Sequence, residues 1–163
     1  MLNLRTVLTA LALNLALGFV LGPAAEAQFT TRQALTLDGA KRIMAAAEAE
    51  AVKHKWTVAI AIVDEAGDLI ALHKIDDTQA GSIDIAIGKA RTSARMKRPT
   101  KALEDAIAGG RHALLGVDGL MPLEGGVPIT VDGRIIGAVG VSGVTSQQDA
   151  QVAMAGIAAL GGQ

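Results

Sequence analysis

The chain has 163 residues, a formal net charge of −1 and no cysteine. Without cysteine it can form no disulfide, attach no c-type haem covalently and use no thiol as nucleophile or ligand. The near-neutral charge and an aromatic content of 2% argue against nucleic-acid binding, which needs a basic surface and, for single strands, stacking side chains.

The first 27 residues have the pattern of an export signal. Arg5 precedes an apolar run over residues 7–21, and Ala25-Glu26-Ala27 supplies a small-x-small cleavage site. The run of about 15 residues is shorter than the roughly 20 that a membrane-spanning helix needs. We therefore predict a cleaved signal peptide over 1–27, a single domain over 28–163, and a periplasmic or extracellular location without membrane attachment after cleavage.

The hydrophobic pattern then predicts a helix, a hairpin and two further helices. Apolar residues at helical spacing follow the candidate N-cap Thr36 as far as His54. Two apolar runs, 57–63 and 69–75, flank turn residues and predict the first hairpin. Ser82 is a candidate N-cap for the next helix, which Pro99 ends. A shorter helix follows from residue 100 to residue 108, before a loop-like stretch.

The second hairpin has the strongest local signal, Asp132-Gly133 between apolar runs over 127–131 and 134–141. Glycines at 137, 140 and 143 indicate a bulge, close packing, or a ligand near the backbone. Residues 146–149 resemble a capping box that opens a final helix. Two hairpins with apolar runs imply an antiparallel sheet covered by helices on both faces, an α+β fold of three layers.

Common catalytic and metal motifs are missing. The glycines around residues 140–143 lack the dinucleotide-binding spacing, Ser142 lacks half of a nucleophile elbow, and the three histidines lack zinc-site spacing. No catalytic residue is assigned, and enzymatic activity is left open. The acids best placed for it are Asp64, Glu124 and Asp149, although turn and cap roles explain Asp64 and Asp149 equally well.

Non-covalent haem asks for less: an apolar slot, one axial ligand and cations near the propionates. The axial candidates are His54, His73, His112 and Met121. Residues 89–101 contain six Lys or Arg and no acid. This stretch is either a solvated helix face or an anion-binding patch.

Four stretches of the chain resemble the GlcG/HbpS family of haem-binding and glycolate-operon proteins, which is related to the C-terminal domain of PduO-type cobalamin adenosyltransferases. They are Val63-Asp64-x-x-Gly67, Lys89-Ala-Arg-Thr-Ser-Ala94, Glu124-Gly-Gly-Val-Pro-Ile129, and residues 132–143 with the Gln148-Asp149-Ala150 that follows. The resemblance covers about residues 35–160. It implies a profilin-like domain, a homo-oligomer, and a pocket near the glycine-rich strand.

The resemblance also implies a function and site residues. It indicates an exported haem-storage or haem-sensing protein, with non-enzymatic binding of a small organic acid such as glycolate as the alternative. His54 is the candidate iron ligand, and Thr92 and Thr100 lie in the segment that matches relatives with a threonine ligand. The remaining candidates are cations for the propionates or a small carboxylate, and pocket glycines: Lys89, Arg91, Arg95, Gly140 and Gly143.

Overall fold

The computed structural model describes residues 31–161. The chain divides after Arg32 into two units, and the fold below is that of the unit which begins at Gln33. The predicted signal peptide lies outside the described residues, so it stays a prediction. No helix between residues 31 and 161 is long and apolar enough to cross a membrane.

The order of helices and strands agrees with the order predicted from the sequence, apart from a short 3-10 turn, His112–Gly116, in the segment predicted as a loop. Strand β1 begins two residues later than predicted, because the turn that ends the first helix extends to Trp56, whose N–H donates to the Ala51 carbonyl oxygen. The elements are α1 Leu37–Lys53, β1 Ala59–Asp64, β2 Leu69–Lys74, α2 Ser82–Met96, α3 Thr100–Ala108, β3 Gly126–Val131, β4 Arg134–Ser142 and α4 Ser146–Ala158.

The strands form one antiparallel sheet in the order β2-β1-β4-β3. Helices α1 and α4 pack on one face, where Ile60, Ile62, Val139 and Val141 are buried. Helix α2 covers the other face. The predicted α+β fold with helices on both faces of an antiparallel sheet is therefore confirmed.

Local sequence signals predicted some turns and caps correctly and placed others one residue away. Asp132 and Gly133 have φ values of 49° and 74°, as the predicted two-residue hairpin turn requires. The Thr36 hydroxyl accepts the Gly39 N–H at 3.1 Å, which confirms the first N-cap.

Two predicted caps were wrong. Helix α2 is capped by Gly81 rather than Ser82, and α4 by Thr145 rather than Ser146. Thr145 is the last extended residue before α4, with ψ 152°, and its side chain forms the capping box with Gln148. Ser82 is already helical and completely buried.

The sheet face under α2 is built from very small residues. Ala59, Ala61 and Ala138 lie opposite alanines of α2, and no side chain separates Gly140 from the helix. A Cβ at Gly140 would lie 2.1 Å from the Ala86 carbonyl oxygen, and one at Gly143 would lie 2.2 Å from the Thr57 carbonyl oxygen. Protein backbone thus fills the space beside both predicted pocket glycines.

Replacing Gly140 with alanine should therefore destabilise the fold strongly, by about 3 kcal/mol, because helix α2 would have to move off the sheet. Gly116→Ala is the control, since a Cβ there meets nothing within 4 Å and Gly116 caps no helix and has no positive φ. Urea denaturation of both variants measures the effect. Equal midpoints for the two variants would contradict the close packing of α2.

Candidate functional site

A buried ion pair joins α2 to α4 at the end of strand β4. The Lys89 Nζ donates to Asp149 Oδ2 at 2.8 Å and to the Val141 carbonyl oxygen at 3.0 Å. The other carboxylate oxygen accepts the Val144 N–H at 3.2 Å. Both charged side chains are only 3% exposed, so Lys89 belongs neither to a solvated face nor to an open anion-binding patch.

Burial sets the electrostatics of this pair. Removal from water raises the pKa of Asp149, and the hydrogen bonds from Lys89 and from the backbone at Val144 and Gly143 lower it by less. A buried ion pair of this kind contributes little net stability, but losing one partner leaves a costly isolated charge. The role of Asp149 is thus structural: its carboxylate holds Lys89 and accepts the Val144 N–H just before α4, while Thr145 is the N-cap of that helix.

The Gly125-Gly126 pair covers the ion pair from outside. Gly125 has φ +120°, and a Cβ there would lie 2.8 Å from Lys89 Nζ and 2.9 Å from Asp149 Cβ. A Cβ at Gly126 would lie 2.4 Å from the Lys89 carbonyl oxygen. Only glycines allow the chain to pass this close, which explains why the Glu124-Gly-Gly motif accompanies Lys89.

A cavity of about 210 Å³ lies outside these glycines. One oxygen of Glu124 is buried without a hydrogen-bond partner among residues 31–161, and the Glu124 N–H donates to Glu104 at 2.6 Å. Hydrogen bonding to Asp105 raises the pKa of Lys101 at the rim, with further contributions from Glu124 and Glu104. The residues that line the cavity include one cation and one carboxylate, and they are Pro99, Lys101, Glu124, Gly125, Gly126, Val127, Ala150 and Met154.

The two candidate threonines are buried, and backbone groups occupy their hydroxyls. The Thr92 hydroxyl accepts the Met121 N–H at 2.7 Å, and the Thr100 hydroxyl accepts the Gly126 N–H at 2.9 Å. Their exposed fractions are 2% and 0%. Because neither hydroxyl is open to solvent, iron could reach either threonine only if the surrounding structure opened.

The two candidate arginines clamp the turn between β1 and β2. Arg91 Nε donates to the Gly67 carbonyl oxygen at 3.2 Å, and Arg95 Nε donates to the Ala66 carbonyl oxygen at 2.7 Å. The Asp64 carboxylate accepts the Ala66 N–H at 2.9 Å in the same turn, which is the structural role expected for it. Three of the six basic residues over 89–101 therefore hold other parts of the chain in place: Lys89, Arg91 and Arg95.

His54 lies at the end of α1, in the other layer. Its Nε2 is 3.1 Å from Glu50 Oε1, and its ring stacks on Trp56 with centroids 4.3 Å apart. Gln151 donates to the same Glu50 oxygen at 2.7 Å. The side chain is 34% exposed, and a carboxylate that orients a histidine is the usual arrangement around metal-bound imidazoles.

The structure does not bring the predicted site residues into one cluster. Lys89 and Thr100 meet at Gly126, whereas Arg91 and Arg95 meet at the β1–β2 turn. His54 is on the opposite face of the sheet, and the six residues of β1 put about 20 Å between its end of the strand and that turn. One ligand on a single chain cannot contact all of these residues.

The other axial candidates lie in separate places. His73 pairs with Glu48 at 2.6 Å, His112 begins the 3-10 turn, and the Met121 side chain packs against Gly88. Between residues 31 and 161, no three His, Cys, Asp or Glu side chains converge as a metal-ligating group. Sequence reasoning missed Glu50 and Gln151 as partners of His54, although Glu50 precedes it by one helical turn, the spacing at which helix side chains meet.

Comparison with known proteins identifies the class of protein. The HbpS-like family, described as "Haem degrading protein HbpS-like", matches residues 35–158, so the chain belongs to this family. Protein GlcG of Escherichia coli (strain K12) is 48% identical over 112 residues, which are 69% of this chain and 84% of GlcG. The predicted family resemblance is confirmed.

Two solved structures show the same relationship. The crystal structure of HbpS has a TM-score of 0.78 and 31% identity, covering 85% of this chain and 99% of that chain. The crystal structure of a PduOC:haem complex has a TM-score of 0.72 and 28% identity, covering 78% of this chain and 95% of that chain.

Removing the positive partner of the buried ion pair should be costly. Lys89→Met should lower the free energy of unfolding by about 3–5 kcal/mol, because Asp149 is left buried and unpaired. The double variant Lys89→Met/Asp149→Leu should recover most of that loss. Lys101→Met, which breaks an exposed pair, is the control and should cost no more than about 1 kcal/mol. If urea denaturation gives Lys89→Met and Lys101→Met the same loss of unfolding free energy, the structural role of the ion pair is contradicted.

The raised pKa of Asp149 predicts a direction for the pH dependence of stability. A folded-state pKa above the ordinary value of 3.8 means that the folded chain binds this proton more tightly than the unfolded chain. Relative to Asp149→Asn, the wild type should therefore gain stability as the pH falls from about 7 towards about 4. Denaturation at several pH values measures the difference, and a difference that shrinks would show that the attraction of Lys89 outweighs burial.

Proposed function

We propose that the protein is an exported haem-binding protein that stores or senses haem, with His54 as the iron ligand. The observation that carries this proposal is the similarity to the PduOC:haem complex, of which the chain covers 95%. Membership of the HbpS-like family supports it. Export rests on the signal-like pattern over residues 1–27.

The surroundings of His54 fit a shallow haem site. Glu50 engages Nε2 and fixes the ring, which is partly exposed. Trp56 stacks on the imidazole, and Val52 on the same helix is 64% exposed, so apolar surface is available beside it. Lys55 follows the histidine and supplies a cation for a propionate, whereas Lys53 is already paired with Glu50 at 3.3 Å. Arg91 and Arg95 are on the other face of the sheet.

Haem bound here would be held by one protein ligand at the surface and would exchange readily. Ready exchange suits storage or sensing, in which haem must also leave. The threonine alternatives, Thr92 and Thr100, receive less support because both hydroxyls are buried and hydrogen-bonded.

A small organic acid such as glycolate remains the alternative ligand, and this alternative rests on the similarity to GlcG. The site geometry supports it less. Lys89 is enclosed in its ion pair with Asp149, and Lys101, the one cation that lines the cavity beside Gly125-Gly126, is already paired with Asp105.

Haemin titration of the purified protein tests the proposal. We expect a saturable Soret band whose affinity falls at least roughly tenfold in His54→Ala, because the iron loses its protein ligand. His112→Ala is the matched control and should leave the titration unchanged. Thr92→Ala should also bind as the wild type does.

Three results would change the proposed function. No saturable band would remove haem as the ligand, and thermal stabilisation by glycolate would then favour the alternative. A band that survives in His54→Ala but is lost in Thr92→Ala would move the iron to α2. A band that forms and then decays with reductant and oxygen would indicate haem degradation in place of storage.

A further inference from the structure

A second, larger cavity lies at the other end of α1 from His54. It is a groove of about 730 Å³ between the N-terminal arm, the first turns of α1, the β3–β4 turn and the end of α4. Helix α1 has 17 residues, or about 25 Å at about 1.5 Å per residue, so this groove is separate from His54. Its volume lies within the range of about 300–1,000 Å³ that is typical of organic-ligand pockets.

The floor of the groove is apolar. Leu35, Ile136, Ile157 and Leu160 line it and pack against the hydrophobic core. Gly39 adds no side chain to this floor, and Leu35 packs directly on it, since a Cβ at Gly39 would lie 3.1 Å from Leu35 Cδ1. A ligand on this floor must therefore have an apolar body.

The rim of the groove has two charges, of which one is already hydrogen-bonded. Asp132 accepts from Gln33 Nε2 at 3.0 Å across the N-terminal arm. Arg42, one helical turn after Gly39, lines the groove and forms no ion pair with any residue between 31 and 161. Gln33 is neutral, so Asp132 keeps its negative charge, and the Arg42 guanidinium is the cation that the lining residues offer to a ligand.

We infer that this groove binds an amphipathic carboxylate, with its apolar chain on the floor and its carboxylate on Arg42. A guanidinium group pairs a carboxylate through two parallel hydrogen bonds. A small hydrophilic acid would leave the apolar floor uncovered, and a purely apolar molecule would form no hydrogen bond with the exposed Arg42. The groove goes beyond the proposed haem function and does not depend on it.

Calorimetric titration of the purified protein with decanoate and with decanol tests the inference. Decanoate should bind saturably and roughly tenfold more tightly than decanol, because only decanoate forms charge-assisted hydrogen bonds. In Arg42→Gln this preference should disappear while decanol binding is retained. Gly39→Leu fills the groove and should abolish binding of both.

Lys41→Gln is the matched control, because Lys41 lies next to Arg42 but pairs with Asp38 at 4.0 Å. It should bind both probes as the wild type does. Circular dichroism and the denaturation midpoint show whether each variant is folded. If Gly39→Leu does not fold, the loss of the decanoate preference in Arg42→Gln still tests the inference, because Arg42 is exposed.

Two results at the groove overturn the inference, and a third does so at His54. One is an absence of saturable decanoate binding by the wild type, and the other is an unchanged preference for decanoate in Arg42→Gln. Decanoate binding should also persist in His54→Ala, and its loss there would assign decanoate to the proposed haem site. Failure of the haem proposal leaves all of these expectations as they stand.

Discussion

The close contact between helix α2 and the sheet constrains the rest of the structure. Alanines and Gly140 let the helix backbone touch the strands, and Lys89 is then long enough to reach past the end of β4 to Asp149 on α4. One ion pair thus ties the two helical layers together across the sheet. Gly125 must cover it without a side chain, which fixes how the chain enters β3.

This arrangement changes the meaning of the basic stretch over residues 89–101. A run of six Lys and Arg in a chain of near-zero net charge has the appearance of a ligand patch. In the fold, one of them is buried in an ion pair and two clamp the β1–β2 turn through their Nε atoms. The partly exposed histidine that a carboxylate orients is on the opposite layer, and the apolar groove with Arg42 is at the far end of that layer.

Sequence reasoning succeeded where the signal is local and failed where residues meet across the chain. Asp132-Gly133 and Thr36 could be read directly, because turn and cap geometry depends on neighbouring residues. Lys89 and Asp149 are 60 positions apart, so no local pattern pairs them. A signal did exist, since Lys89 lies on the buried stripe of α2 with Ser82, Ala86 and Ser93. The six-residue length of β1 separates His54 from the arginines, and only the topology shows this.

The central claim is that α2 has a structural role and that haem binds on the α1 layer. A crystal structure of the protein with haem bound tests it most directly. The account predicts iron ligated by His54, with the Lys89–Asp149 ion pair and the Thr92 and Thr100 hydrogen bonds intact. Iron ligated by either threonine, or an ion pair opened to admit the ligand, would contradict it.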